Sequence, residues 1–276
     1  EPSPGAPNGT RLANAPPLIR QVNHTPEQPA AGTPELITAK VTDSDGVGSV
    51  VLLYQLVDAG KYIRKTDPAY STNWISLEMN DSGNDGDLLA GDGTYSVTLP
   101  AQFQVHRRLI RYRILCTDKA GQTVQVPYAD DPEPNFAYFI YNGVPGWAGA
   151  FKPGDPGEQG VVKSFPPSLV ASMPAYHLIA NESDVIKSQY DSGFDTVPMW
   201  GTLVYEGKVY DHVTFNNRGE FSTYVSGKNK WRIHVNNTHE FQAKDNYGRP
   251  YSQTWDDFNL NGGSAPWIAA NRGMSG

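Results

Sequence analysis

The densest set of side chains able to do chemistry is acidic. Residues 80–87 read Asn80-Asp81-Ser82-Gly83-Asn84-Asp85-Gly86-Asp87, and Asp92-Gly93 follow. Calcium takes roughly six to eight oxygen ligands, and carboxylates spaced along a tight loop can supply them. Counted from Asp81 as an EF-hand loop, Gly86 falls at the sixth position and Asp92 at the twelfth. Gly83, however, stands at the third, a ligand position, and the flanks read as strands rather than helices. Asp81, Asp85, Asp87 and Asp92 are therefore candidate calcium ligands on a hairpin loop. The competing reading is a long hairpin built of good turn formers.

A second set is cationic. Lys228-Asn229-Lys230-Trp231-Arg232-Ile233-His234-Val235 reads as a strand. With a side-chain period of two, Trp231, Ile233 and Val235 face a core with Asn229 beside them. Lys228, Lys230, Arg232 and His234 then form one row on the opposite face. Such a row repels itself unless it meets an anion, and a phosphate held by a strand lysine is one solution. A solvated basic face is the other. The sequence has no GxSxG, HExxH, GxxxxGK[ST] or GxGxxG motif. None of the six histidines (His24, His106, His177, His212, His234, His239) has a second metal ligand at helical spacing, so no zinc site is expected.

The elements that must hold these residues are mostly strands. The chain has 276 residues, 27 Gly and 22 Pro, and many aromatics, which suits a β-rich globular protein. Net charge is −7 and there is no basic tract, so no nucleic-acid partner is expected. The longest apolar run, residues 50–57, is interrupted by Gln55 and falls far short of the ~20 residues of a membrane-spanning helix. The lone cysteine, Cys116, lies in an apolar strand and reads as a core thiol.

Residues 1–17 read as a flexible lead. Residues 18–142 carry seven or so short strands, among them 36–41, 50–57, 75–79, 94–99, 111–117 and 136–141, separated by turn signals. That spacing predicts an immunoglobulin- or fibronectin-like sandwich, with Tyr112 as a candidate tyrosine corner. Residues 143–168, rich in Gly and Pro, read as a linker. Residues 169–276 form a β-rich α+β segment. It has strands near 176–179, 202–205, 209–215 and 230–235, a turn at Glu206-Gly207-Lys208, and a helix from Asn181 or Ser183 to about Tyr190. The Gly-, Asn- and Ser-rich ending suggests a truncated domain.

Several motifs in this second segment resemble the CotH family, whose members contain atypical kinases of the secretory-pathway type. They are Tyr176-His177-Leu178-Ile179, the run from Gly201 to Val213 (Gly201-Thr202-Leu203-Val204-Tyr205-Glu206-Gly207-Lys208-Val209-Tyr210-Asp211-His212-Val213), Arg218-Gly219, Lys228-Asn229-Lys230-Trp231, Asp245-Asn246-Tyr247-Gly248-Arg249 and Asn271-Arg272-Gly273. The first segment is similar to the sandwich that precedes such domains in large bacterial surface proteins, through Asp85-Gly86-Asp87, Ala90-Gly91-Asp92-Gly93 and Tyr112-Arg113-Ile114 with Asp118. The resemblance implies a kinase-like N-lobe in which Lys228, with Arg218 and Lys230, binds the phosphates of ATP. It implies Mg-ATP as cofactor, serines of a secreted or surface protein as acceptor, and a secreted or cell-surface bacterial location. The metal-holding and hydroxyl-positioning residues would lie in a C-lobe beyond this sequence, so no catalytic residue is expected within it. The alternative is a structural or adhesive surface or filament protein, its sandwich a calcium-rigidified spacer or docking module and its CotH-like part inactive.

Overall fold

The fold was analysed in a computed structural model. It describes residues 14–150, 162–190, 197–218, 230–245 and 247–260. The first half runs β1 (Leu18–Thr25), β2 (Glu35–Thr42), β3 (Val47–Val57), a short helix α1 (Pro68–Thr72), β4 (Ile75–Glu78), β5 (Thr94–Leu99), β6 (Leu109–Asp118), β7 (Thr123–Val126) and β8 (Phe136–Phe139). One antiparallel sheet has the order β1-β2-β5, the other β4-β3-β6-β7. The predicted sandwich is present. β2 alternates buried and half-buried residues, and its inward set Ile37, Ala39 and Val41 packs on Val50, Leu52 and Tyr54 of β3 and Ile110, Tyr112, Ile114 and Cys116 of β6. Cys116 is a buried free thiol whose pKa burial pushes up to about 11, as a core role requires. Tyr112 is not a tyrosine corner. Its hydroxyl pairs with the His24 ring nitrogen Nδ1 at 2.9 Å, not with an upstream carbonyl.

β7 and β8 share one edge of β6. β7 pairs with Ile114–Thr117, and β8 pairs with residues 109–112. They amount to one edge strand interrupted by an excursion over residues 127–135. That excursion leaves the sandwich and reaches the second half.

The predicted linker is not free of structure. β9 (Trp147–Ala150) pairs antiparallel with β10 (Val162–Phe165), and α2 (Pro167–Val170) follows. The second half then runs β11 (Tyr176–Ala180), α3 (Glu182–Tyr190), β12 (Met199–Tyr205), β13 (Lys208–Asn217), β14 (Trp231–His234) and β15 (Asp257–Leu260). These strands form one antiparallel sheet in chain order. The β12–β13 turn is the two-residue Glu206-Gly207, with both φ positive (49° and 88°), the I′ geometry that matches strand twist. Gly201 is needed for close approach: a Cβ there would lie 2.2 Å from the Ile179 carbonyl oxygen. One face of the sheet buries Leu203, Tyr210, Val213, Phe215, Ile233 and Phe258 with Phe241.

The other face of β12 and β13 lies on the outer face of the β3–β6 sheet. Val57, Tyr62, Leu109, Phe139 and Val204 form a shared core, with Ile179 and Val209 packed on it. The two halves are thus joined by a buried seam, and not only by the chain between them.

Candidate functional site

The seam is built around two consecutive polar residues, Asp211 and His212, in the middle of β13. Leu203 pairs with Tyr210 and Gly201 with Val213, so Thr202 is opposed by both Asp211 and His212. This is a β-bulge, and His212 accommodates it with φ +55°. A regular strand would send Asp211 and His212 to opposite faces. The bulge turns both toward the sandwich, while Tyr210 and Val213 keep to the core on the far side.

Arg111 on β6 meets Asp211. Its Nε donates to Oδ2 at 2.7 Å and its Nη2 to Oδ1 at 3.2 Å, with both side chains inaccessible to solvent. Nη1 donates to Gln55 Oε1 at 3.0 Å and to the Ile63 carbonyl at 2.8 Å. The guanidinium lies over the rings of Tyr62 and Tyr70, 4.9 and 5.4 Å from their centroids. Asp211 Oδ1 also accepts from Thr202 Oγ1 (2.6 Å), the Tyr62 hydroxyl (3.0 Å) and the His212 backbone N–H (2.8 Å), and Oδ2 accepts from Asn135 Nδ2 (3.0 Å). Burial opposes its charge, but Arg111 and these donors hold its carboxyl far below the usual carboxylate range. A buried ion pair stabilises only when its remaining hydrogen-bonding capacity is met, and here it is met from both halves. Burial pushes His212 down to about 4, so the ring is neutral near pH 7. Its Nε2 pairs with Asn135 Oδ1 at 2.8 Å.

The excursion between β7 and β8 supplies the rest. Asn236 Nδ2 donates to Glu133 Oε1 at 3.0 Å and to the Asp211 carbonyl at 3.1 Å. His239 Nε2 lies 2.8 Å from Asp131 Oδ1. A crevice of about 290 Å³ opens beside Glu133, Asn135, Asp211 and His239. A larger cleft of about 840 Å³ lies against α3, with Phe139, Tyr141, His177, Arg107 and Glu182 among its walls. Neither contains a residue predicted from sequence as a phosphate or metal ligand.

Those predicted residues lie elsewhere. Asp81, Asp87 and Asp92 each place one oxygen within 4.8 Å of the others, and Asp85 is not in the group. Their carboxylates already accept from the loop's own backbone: Asp87 from Gly83 and Leu89, Asp81 from Gly91 and Gly93, Asp92 from Thr94. Lys228 lies outside the described residues. Arg218 and Lys230 face each other where β13 meets β14, the Arg218 N–H donating to the Lys230 carbonyl at 2.9 Å. The predicted alternation of β14 is present, with Ile233 buried and Arg232 and His234 exposed. The anion beside Arg232 is Asp257 of β15, whose carboxylate accepts from its Nε at 2.9 Å. Part of the cationic row is therefore answered within the sheet. Of the remaining motif residues, Asp245 closes a turn by accepting from the N–H groups of Tyr247 and Arg249, while residues 271–273 are outside the described set.

The seam itself was missed from sequence, although two signals pointed to it. The run 50–57 is apolar on both alternating faces, the mark of a sheet covered on both sides. The polar pair Asp211-His212 interrupts the apolar alternation of β13, as a bulge does.

Comparison with known proteins adds little. No family model matches the chain, and no curated protein matches it. Among solved structures, one described as "Structural insight into host cell surface retention of a 1.5-MDa bacterial ice-binding adhesin" aligns at 14% identity over 86% of this chain and 62% of that one, with a TM-score of 0.25. The alignment spans less than two thirds of that adhesin chain, and a likeness this slight bears on neither fold nor role.

Proposed function

We propose that this chain is a rigid composite module of a secreted or cell-surface protein, in which the sandwich and the five-stranded sheet act mechanically as one body. The observation that carries this reading is the Arg111–Asp211 pair, inaccessible in both side chains and hydrogen-bonded from β3, β6, β12, β13 and the excursion. A flexible tether between independent domains would leave such groups in water. The module's task is then to hold a partner-binding or catalytic region at a fixed orientation relative to the sandwich. The surface location rests on the CotH resemblance alone.

The test is equilibrium unfolding of the full chain. One cooperative transition, seen identically by far-UV circular dichroism and tryptophan fluorescence, supports a single body, and Arg111→Met should split or broaden it. Two well-separated transitions in the unmodified chain would defeat the reading.

A second reading keeps the CotH resemblance at full strength: in a longer protein, Lys228, Arg218 and Lys230 hold the phosphates of Mg-ATP for transfer to serines of a surface partner. It is supported by the order of the motifs, and by the structure only so far as Arg218 and Lys230 lie together. ATP binding by a longer chain, lost in Lys228→Ala, supports it, and absence of nucleotide binding removes it. Calcium at Asp81, Asp87 and Asp92 is a separate proposal. Identical melting curves in calcium and in EGTA would remove it.

A further inference from the structure

Glu133 sits where the excursion meets the second half. It is 8% exposed. One oxygen accepts from Asn236, and the other lies 4.0 Å from His239 Nδ1. Asn236 gives its other contact to the Asp211 carbonyl, so one amide ties Glu133 to the bulge. The charged and titratable groups around this carboxyl come from every packed element. Asp131 lies on the same excursion, where Lys65 holds the Pro132 carbonyl. Asp211, His212 and Lys208 come from β13, and from β6 Arg111 is committed to Asp211 while Arg113 holds the Pro134 carbonyl. His239 follows β14, and His24 and Glu27 lie near the end of β1 across the crevice.

We propose that Glu133 is a pH-operated latch of the seam: uncharged it stays buried where the excursion meets the Asp211 bulge, and ionised it forces the excursion away from Asp211. The crevice beside it gives protons and water a route to the carboxyl. Ionisation would put a third carboxylate next to Asp131 and Asp211, on a side chain that is largely buried. Burial and these two neighbours push its pKa to about 8, with Asn236 opposing. The carboxyl therefore binds its proton more tightly in the closed seam than in the open one. Closure is fully supported below the ordinary carboxyl range and weakens as pH rises toward 8.

The proposal rests on the rigid-body reading, and its test separates the two. Amide hydrogen exchange is measured on the full chain at pH 6 and pH 9, corrected for intrinsic rates, for wild type and Glu133→Gln. The wild-type segments 131–136, 209–213 and 235–241 should lose protection by a factor on the order of tens between the two pH values, while the centre of β6 keeps its protection. Glu133→Gln should hold the seam closed at both. Equal pH response in wild type and variant overturns the latch and leaves the rigid body standing. An unprotected seam at pH 6 overturns both. A carboxyl ¹³C titration of Glu133 in the wild-type chain gives a readout independent of the variant: a midpoint near 4.5 overturns the latch, and one near 8 supports it.

Discussion

At the scale of single residues, the buried polar groups divide into those that are answered and those that are not. Asp211 is answered by four donors (Tyr62, Thr202, Asn135 and the His212 N–H) besides the two contacts it receives from Arg111 across the seam. Removing one partner leaves a buried charge alone, so Arg111→Met or Asp211→Asn should each cost about 3–5 kcal/mol in chemical denaturation. Replacing both at once should cost less than the sum of the two. Glu35 is the opposite case. It continues the inward-facing set of β2, is fully buried, and neither carboxylate oxygen has a hydrogen-bond partner among the described residues. Burial pushes its pKa to about 8. Glu35→Leu should therefore stabilise the sandwich at pH 8 by about 1–3 kcal/mol, with a smaller gain at pH 5, where the wild-type carboxyl is already neutral. No gain at pH 8 would show that the carboxyl has a partner in solution. Gly201→Ala should destabilise strongly, because the new methyl would overlap the Ile179 carbonyl and the Phe215 ring.

At the scale of elements, the loop of residues 80–93 behaves as a carboxylate-stapled turn. Asp81 and Asp87 each accept two backbone N–H groups. Asp81→Ala or Asp87→Ala should each lower stability by about 1–2 kcal/mol in EGTA, measured by thermal melts, since two loop donors lose their acceptor. Most strands were legible from alternation: β2, β3, β5, β6, β12, β13 and β14 fall where the period-two pattern puts them. β1 was not, because Leu18-Ile19-Arg20-Gln21-Val22-Asn23-His24-Thr25 is a largely exposed edge strand with few residues to alternate. The β9–β10 ladder was hidden by the Gly- and Pro-rich sequence between its two strands. For the candidate site, three of the four acidic residues named from sequence, Asp81, Asp87 and Asp92, lie together, and the alternation of β14 gives its outward face. It could not place the seam. Period two assigns Arg111 to the outer face of β6 but says nothing of what covers that face, and the partner lies 100 positions away.

At the scale of the whole molecule, pH should act on stability from both sides. His212 has a lowered pKa, so its contribution is complete above about 6.5 and is lost as pH falls toward 4. Glu35 and Glu133 have raised values, so theirs are complete below about 4.5 and are lost as pH rises toward 8. The thermal midpoint should be highest near pH 5 and decline toward pH 8, and Glu35→Leu combined with Glu133→Gln should flatten that alkaline decline. A midpoint that rises steadily from pH 5 to pH 8 would contradict the assignment of these two carboxyls. Because the halves share the core of Val57, Leu109, Phe139 and Val204, the decline should be common to both rather than confined to one.

The 100-residue separation of Arg111 and Asp211 also sets an order of events during synthesis. At about 5–20 residues per second, the ribosome delivers Asp211 some 5–20 s after Arg111. For that interval a nascent sandwich presents Val57, Leu109 and a guanidinium still without its carboxylate on an open sheet face. The growing chain therefore carries a temporary sticky surface, and a chaperone has a defined window in which to cover it.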